Sequence, residues 1–305
     1  MVMLSQSRGL RFALVLLMSL GAVAWLGHDR PAYAEDEEDG GDDGGDEGGD
    51  EGAGDEEEEV DEDQPPVTSG GLFSLKTYPI RELSRPLIMT EKITQVRLGV
   101  GVDVSAKGAF ESFGVSLEGE HGFRDNVSGV FGFTNAYNFK QFGVYAGVEA
   151  ALAYDLVDVR AALRLSRPAA PGAMPGEYVK GKIKGSIDLG FPFRYVAKPE
   201  IAIVALDTLI SIDFDSKPDL NPSLGISTNP IAALSVVIFA QLQIPDFDTS
   251  AGSFTVPATV RAQFSPSQKL DIGAEFVFLN VKPPDGVKFY DNRFLTLYVQ
   301  SRFGR

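Results

Sequence analysis

From Ser253 to Val281 the chain reads SFTVPATVRAQFSPSQKLDIGAEFVFLNV. Phe254, Val256, Ala258, Val260, Ala262 and Phe264 alternate with Thr255, Pro257, Thr259, Arg261 and Gln263. After the polar stretch Ser265–Gln268 the alternation resumes. Leu270, Ile272, Ala274, Phe276 and Phe278 take one side, and Asp271, Gly273 and Glu275 the other. Period two with a short polar interruption predicts a β-hairpin with one apolar and one charged face. The same signal recurs from Thr94 onward and predicts twelve strands: 94–105, 112–123, 126–136, 142–154, 157–166, 178–195, 200–214, 222–228, 231–244, 253–264, 269–281 and 292–303.

Two architectures share this pattern. A soluble β-sandwich buries the apolar faces. A membrane β-barrel turns them to lipid and encloses the charged faces. Three features favour the barrel. Connections after even-numbered strands are tight (Arg124-Asp125, Asp155-Leu156, Ala197–Pro199, Asn229-Pro230, Ser265–Gln268), whereas those after odd-numbered strands are mostly longer. Outer-membrane barrels sort their loops in this way. Phe113 and Phe123, Phe142 and Tyr154, and Phe254 and Phe264 bracket three apolar faces, as two aromatic girdles require. Most runs also exceed the ~5–6 residues of soluble strands. Pro192 and Pro257 run against the pattern, because a closed barrel has no free edge for a missing N–H.

Composition refines this reading. The net charge of −16 is local: Glu35–Asp63 holds 19 Asp/Glu and no Lys/Arg, and residues 64–305 carry a net +1. That tract has too little apolar surface to order itself, so 35–66 is expected to be a disordered acidic spacer. Divalent cations or a basic partner are its candidate ligands, although the spacing of a built calcium loop is missing. Residues 1–34 read as a signal peptide: Arg8 and Arg11 precede the apolar run Phe12–Leu26, and Ala32-Tyr33-Ala34 has the form of a cleavage site. Segment 67–93 either docks beneath the folded domain or enters it as a plug. The chain has no cysteine, and only His28 and His121 as histidines, which leaves no thiolate metal site and no disulfide.

The region Thr94–Arg305 resembles a bacterial outer-membrane β-barrel, porin-like in the broad sense. The resemblance implies an all-β, antiparallel up-and-down barrel of about twelve strands in the outer membrane of a Gram-negative-type bacterium, and the even strand count puts the N- and C-termini together on the short-turn, periplasmic side. It also implies contact with outer-membrane lipids, periplasmic chaperones and barrel-assembly machinery. In that family the last strand usually ends on an aromatic. Here RFLTLYVQSRF is followed by Gly304-Arg305.

By register, the lumen is expected to receive Arg97, Glu118, Glu149, Arg160, Lys180, Lys182, Lys184, Asp207, Arg261 and Glu275. The lysine ladder 180/182/184 would make the loop-side mouth basic. These charges form either an ion-pair network or a constriction that filters small polar solutes. No cofactor, metal site or nucleic-acid partner is implied. A non-conducting anchoring barrel is the alternative. A membrane lipase built on His121 is a weaker one, since alternation turns His121 outward and Ser116 inward. No nucleophile elbow or phosphate loop occurs.

Overall fold

A computed structural model describes residues 70–105, 109–171, 178–205, 207–250, 254–283, 286 and 288–304. The signal peptide and acidic tract lie outside them. Twelve antiparallel strands follow one another around a closed wall. They are β1 (Ile93–Asp103), β2 (Phe113–Arg124), β3 (Val127–Ala136), β4 (Gln141–Ala153) and β5 (Val157–Arg167). Then come β6 (Lys184–Gly190 and Phe193–Lys198), β7 (Ile201–Ala205 and Ile210–Asp213) and β8 (Asp219–Leu220 and Ser223–Ile231). The last four are β9 (Leu234–Gln241), β10 (Ala258–Ser267), β11 (Leu270–Phe278) and β12 (Arg293–Gly304). Each strand pairs with its neighbours in sequence, and β12 closes on β1 from Ile93↔Gly304 to Asp103↔Phe294. No edge is left, as a bilayer demands, because hydrocarbon offers no partner to a free N–H or C=O.

The apolar side of each strand faces out. Leu98, Leu117, Val144, Val148, Leu163, Ile203, Ile226, Ile238 and Leu297 are all exposed, while Ser128, Glu149, Asp158, Asp271 and Arg302 are buried. A water-soluble domain shows the opposite. The wall is therefore that of a transmembrane β-barrel.

All five short hairpins carry a register shift next to their turn: Gly122/Arg124, Ala151/Ala153, Ile201/Ala202, Thr228/Ile231 and Phe264/Ser267. Bulges of this kind belong to barrel rims. They also lengthen the strands beyond the turns read from sequence. β8 continues through Asn229-Pro230 to Ile231, and β10 through Pro266 to Ser267.

The resisting prolines fall where the ladder is interrupted. Pro192 lies between the two segments of β6, and the ladder bridges it through Asp158 N–H donating to the Pro192 carbonyl (2.9 Å) and Arg194 N–H to Leu156 (2.9 Å). Pro257 is not in a strand, since β10 begins at Ala258. The expected strand 178–195 is also shorter. Tyr178–Lys180 pairs instead with Ala169–Pro171 in a separate hairpin outside the barrel sheet.

Replacing Leu163, 62% exposed at the centre of β5, tests the outward assignment. Leu163→Arg is expected to cost about 2–4 kcal/mol in vesicle-embedded protein, read from the urea midpoint. On a water-facing sheet the same change would stay within about 0.5 kcal/mol.

Candidate functional site: the inward ion pairs and the N-terminal strap

The inward side of the wall collects the ionisable residues, and most of those expected there meet. On β1, Arg97 donates to Glu275 of β11 (2.8 Å) and approaches Glu118 of β2 (3.7 Å). Register places them side by side, Arg97↔Glu118 across the β1–β2 pair. The Tyr298 ring of β12 lies 3.8 Å from the Arg97 guanidinium carbon and fills the space left by Gly273, where a Cβ would meet the phenol at 2.3 Å. On β5, Arg160 bridges Glu149 of β4 and Asp207, at 2.5 Å to each. One guanidinium thus serves two carboxylates at both places.

Asp207 reaches Arg160 because β7 is interrupted between Ala205 and Ile210. The backbone there passes so close to Gly190 that a Cβ would stand 1.8 Å from the Asp207 carbonyl. Only glycine permits that approach. Irregular backbone at this depth is tolerated where it lines an aqueous space.

Toward the loop end, Arg164 pairs with Asp188 (2.5 Å) and Lys184 with Asp213 (3.0 Å). They border a cavity of about 350 Å3, with Ser166, Ser186, Ser211, Asp219 and Gln241 also in its lining. Lys180 and Lys182 do not line it. The expected ladder is broken because Lys180 belongs to the outer hairpin, Lys182 to the coil after it, and only Lys184 to β6. Lys184 is matched by Asp213, and Asp219 also lines the cavity.

The turn end is occupied by residues 70–92, a strap without long helix or strand. It touches each of the five short hairpins. Glu91 N–H donates to Asp125, Leu87 N–H to Asp155, Arg81 to the Pro199 carbonyl, Leu83 N–H to Asn229, and Arg85 to Ser265. Tyr78, Ile88 and Met89 are almost wholly buried, and Tyr78 and Met89 pack with Ile93. Two ion clusters fasten it. Asp271 accepts from Arg85 (2.9 Å) and Arg302 (2.5 Å), all three nearly sealed from solvent, and Glu82 pairs with Arg261. Of the two placements open for 67–93, the described part thus takes the mouth of the barrel. A second cavity, about 190 Å3, lies against the strap, lined by Glu82, Arg85, Glu120, Arg194, Arg261 and Arg302.

Sequence reasoning missed Glu82, Arg85 and Tyr298. Glu82 and Arg85 lie in TYPIRELSRPL, which has no period to assign a face. Tyr298 was legible only as an inward position of β12. The aromatic residues stand mostly at strand ends. Phe113 and Phe142 are at the loop end of β2 and β4, and Phe123, Tyr154 and Phe264 lie toward the turn end, all but Phe142 well exposed. Phe254 precedes β10 in a loop, with the Lys282 ammonium 4.2 Å from its ring centre. His121 faces Thr94 (Nδ1 to Oγ1, 2.8 Å) and the Phe123 ring, not a serine. Among the described residues no group of three or more His, Asp or Glu has the geometry of a metal site.

No protein-family model matches the sequence, and no curated protein does. Solved structures with a similar course of the chain include the NanC porin (8% identity, TM-score 0.48, 68% of this chain and 98% of that one). They also include the KdgM porin (8%, 0.46, 68% and 99%) and Omp33 of Acinetobacter baumannii (14%, 0.41, 70% and 99%). At these scores the fold rests on this chain's own closed ladder and its inside-out wetting.

Two outcomes follow for the strap. Asp271→Asn leaves two buried guanidiniums short of their counter-charge and is expected to cost about 3–5 kcal/mol, measured by urea denaturation in micelles. The second concerns pH. Burial raises the Glu82 pKa, but the charges of Arg261 and Arg85 help to outweigh burial and the nearby Asp271, and hold it below its ordinary 4.5. Ionised Glu82 therefore stabilises docking above pH 4.5, and that contribution is lost as pH falls through the depressed value. Hydrogen exchange of 70–92, corrected for intrinsic rate, should accelerate on acidification below pH 4.5. Glu82→Gln should remove that step.

Proposed function

We propose that the chain is a channel of the bacterial outer membrane for small polar solutes, with a charged lumen and its turn end on the periplasmic side. The observation that carries this reading is the roughly 350 Å3 polar cavity bordered by ion pairs at the loop end. A barrel serving only as an anchor gains nothing from enclosing charge, since a packed apolar core is at least as stable. Paired charges around water leave a hydrophilic path whose selectivity depends on the lining side chains. Arg97, Glu118, Glu149, Arg160, Lys184, Asp207, Arg261 and Glu275 are the lining residues assigned to it. Lipids of the outer membrane are its surroundings, and barrel-assembly machinery and periplasmic chaperones its partners during export. The tract 35–63 is assigned an affinity for divalent cations or a basic partner. No catalytic role is assigned to His121.

The strap supports a second reading. Its buried Tyr78, Ile88 and Met89 and its two ion clusters fill the turn-end mouth, as a sealed, non-conducting barrel would require.

Planar bilayers separate the two. Full-length protein should give discrete conductance steps. The double variant Glu82→Gln/Arg85→Gln, which loosens the strap, should open severalfold more often. If both proteins insert, as judged by heat-modifiable gel mobility, and both stay silent, the channel reading fails and the sealed barrel stands.

A further inference from the structure

Asp158, near the start of β5, is a buried acid without a partner. It is 1% exposed, and neither carboxyl oxygen has a hydrogen-bond donor among the described residues. Asp271 and Glu149, sealed to a similar degree, hold guanidiniums instead. A carboxyl taken out of water without donors is costly. A cation of suitable length stands on the next strand. Val157 pairs with Phe193 of β6, which sets Asp158 and Arg194 diagonally on the inward face. Diagonal neighbours of an antiparallel pair are within reach of a long side chain. Arg194 nevertheless turns to the strap and donates to the Arg85 carbonyl (2.6 Å). Its Nε is buried without an acceptor, and among the described residues no carboxylate lies within ion-pair distance of it.

The same stretch of strap occupies the other charges around this point. Leu87 N–H donates to Asp155 (3.1 Å) and Met89 N–H to Glu120 (2.9 Å). Between Arg85 and Met89, neutral backbone groups thus take up one cation and two carboxylates of the wall. A backbone group meets a charge with a hydrogen bond. A counter-charge adds Coulomb attraction, which is strong where water is excluded. Arg160, the other cation at this height, is already engaged by Glu149 and Asp207. Asp158 can therefore gain a counter-charge only from Arg194. The docked strap stands between them. It is fastened elsewhere, by Asp271 with Arg85 and Arg302 and by Glu82 with Arg261.

We propose that the docked strap is one position of a two-state switch: when residues 85–89 leave the mouth, Arg194 turns from the Arg85 carbonyl to Asp158. Docked, the strap keeps its own two ion clusters and leaves Asp158 unmatched. Released, it gives up those clusters, and the wall recovers an ion pair between adjacent strands. Each state satisfies charges that the other leaves short. The exchange narrows the free-energy gap between them and makes the strap a bistable element. A small bias on either set of contacts then shifts its population. The switch holds whether or not the barrel conducts, because all of its parts lie at the turn end.

The test follows hydrogen exchange of the strap amides, 70–92, and of the wall strands in full-length protein in neutral-detergent micelles at constant pH. Asp158→Asn removes the acid that receives Arg194 in the released state. Strap exchange is expected to slow about tenfold, the contribution of one charge-assisted hydrogen bond, with exchange of the wall unchanged. In an Arg194→Gln background the same substitution has no pair to remove, and it should shift strap exchange by no more than about twofold. Arg194→Met is the substitute background should Arg194→Gln fail to insert, as judged by heat-modifiable gel mobility. Equal slowing in both backgrounds would show only the relief of a buried acid, with Arg194 no partner to it. Equal protection of strap and wall would show a stiffer barrel and no switch. Either result, or strap exchange unaltered by Asp158→Asn, overturns the proposal.

Discussion

Hydrocarbon can neither accept a hydrogen bond nor solvate an ion, and every other feature of this barrel follows from that. The backbone must pair completely, so the sheet has to close, and β12 meets β1 over eleven residues. Charged side chains must turn away from lipid, so the polar half of each strand converges on the interior. Inside, the charges are again constrained, because a lone buried ion is costly. The lumen answers with shared partners. Arg97 and Arg160 each join carboxylates on two other segments, and these contacts tie distant strands to one another.

The turn end shows the same logic in a tighter space. Bulges beside the five short turns leave side chains such as Asn229 and Ser265 directed at a segment that the wall alone would not hold. The strap supplies Arg85 and Glu82, which match Asp271 and Arg261 of the wall. Neither partner is comfortable without the other. Asp271 without Arg85 would keep Arg302 as its counter-charge and Gln300 as a neutral donor, and Arg261 without Glu82 has no other carboxylate within ion-pair distance among the described residues. Wall and strap are thus electrostatically one unit, joined by the Tyr78–Met89–Ile93 cluster.

The interruptions in β6, β7 and β8 group on one flank of the barrel. Pro192 and Pro222 lie in two of them, and the third aims Asp207 into the lumen beside Arg160. Residues that cannot extend a ladder occur where the ladder is already interrupted. The loop-end cavity opens against the same flank, with Thr208, Ser211 and Asn221 among its lining. Irregular wall and polar space are two views of one arrangement.

Connection length, aromatic position and strand length decided that the apolar face turns out, and alternation gave the rest of the wall. The strands and the inward placement of Arg97, Glu118, Glu149, Arg160, Arg261 and Glu275 follow from a period of two, which is local and survives in any closed sheet. What it could not give was where the period stops. Lys180 and Lys182 continue the alternation of Lys184 in sequence, yet the chain leaves the wall at Gly181–Ile183, because pairing with Ala169–Pro171 takes Tyr178–Lys180 instead. Phe254 and Pro257 likewise sit before the first paired residue of β10. The strap has no period at all. Its place was decided by complementary charges that lie about 180 residues away in sequence, Glu82 to Arg261 and Arg85 to Asp271, and become neighbours only when the barrel closes.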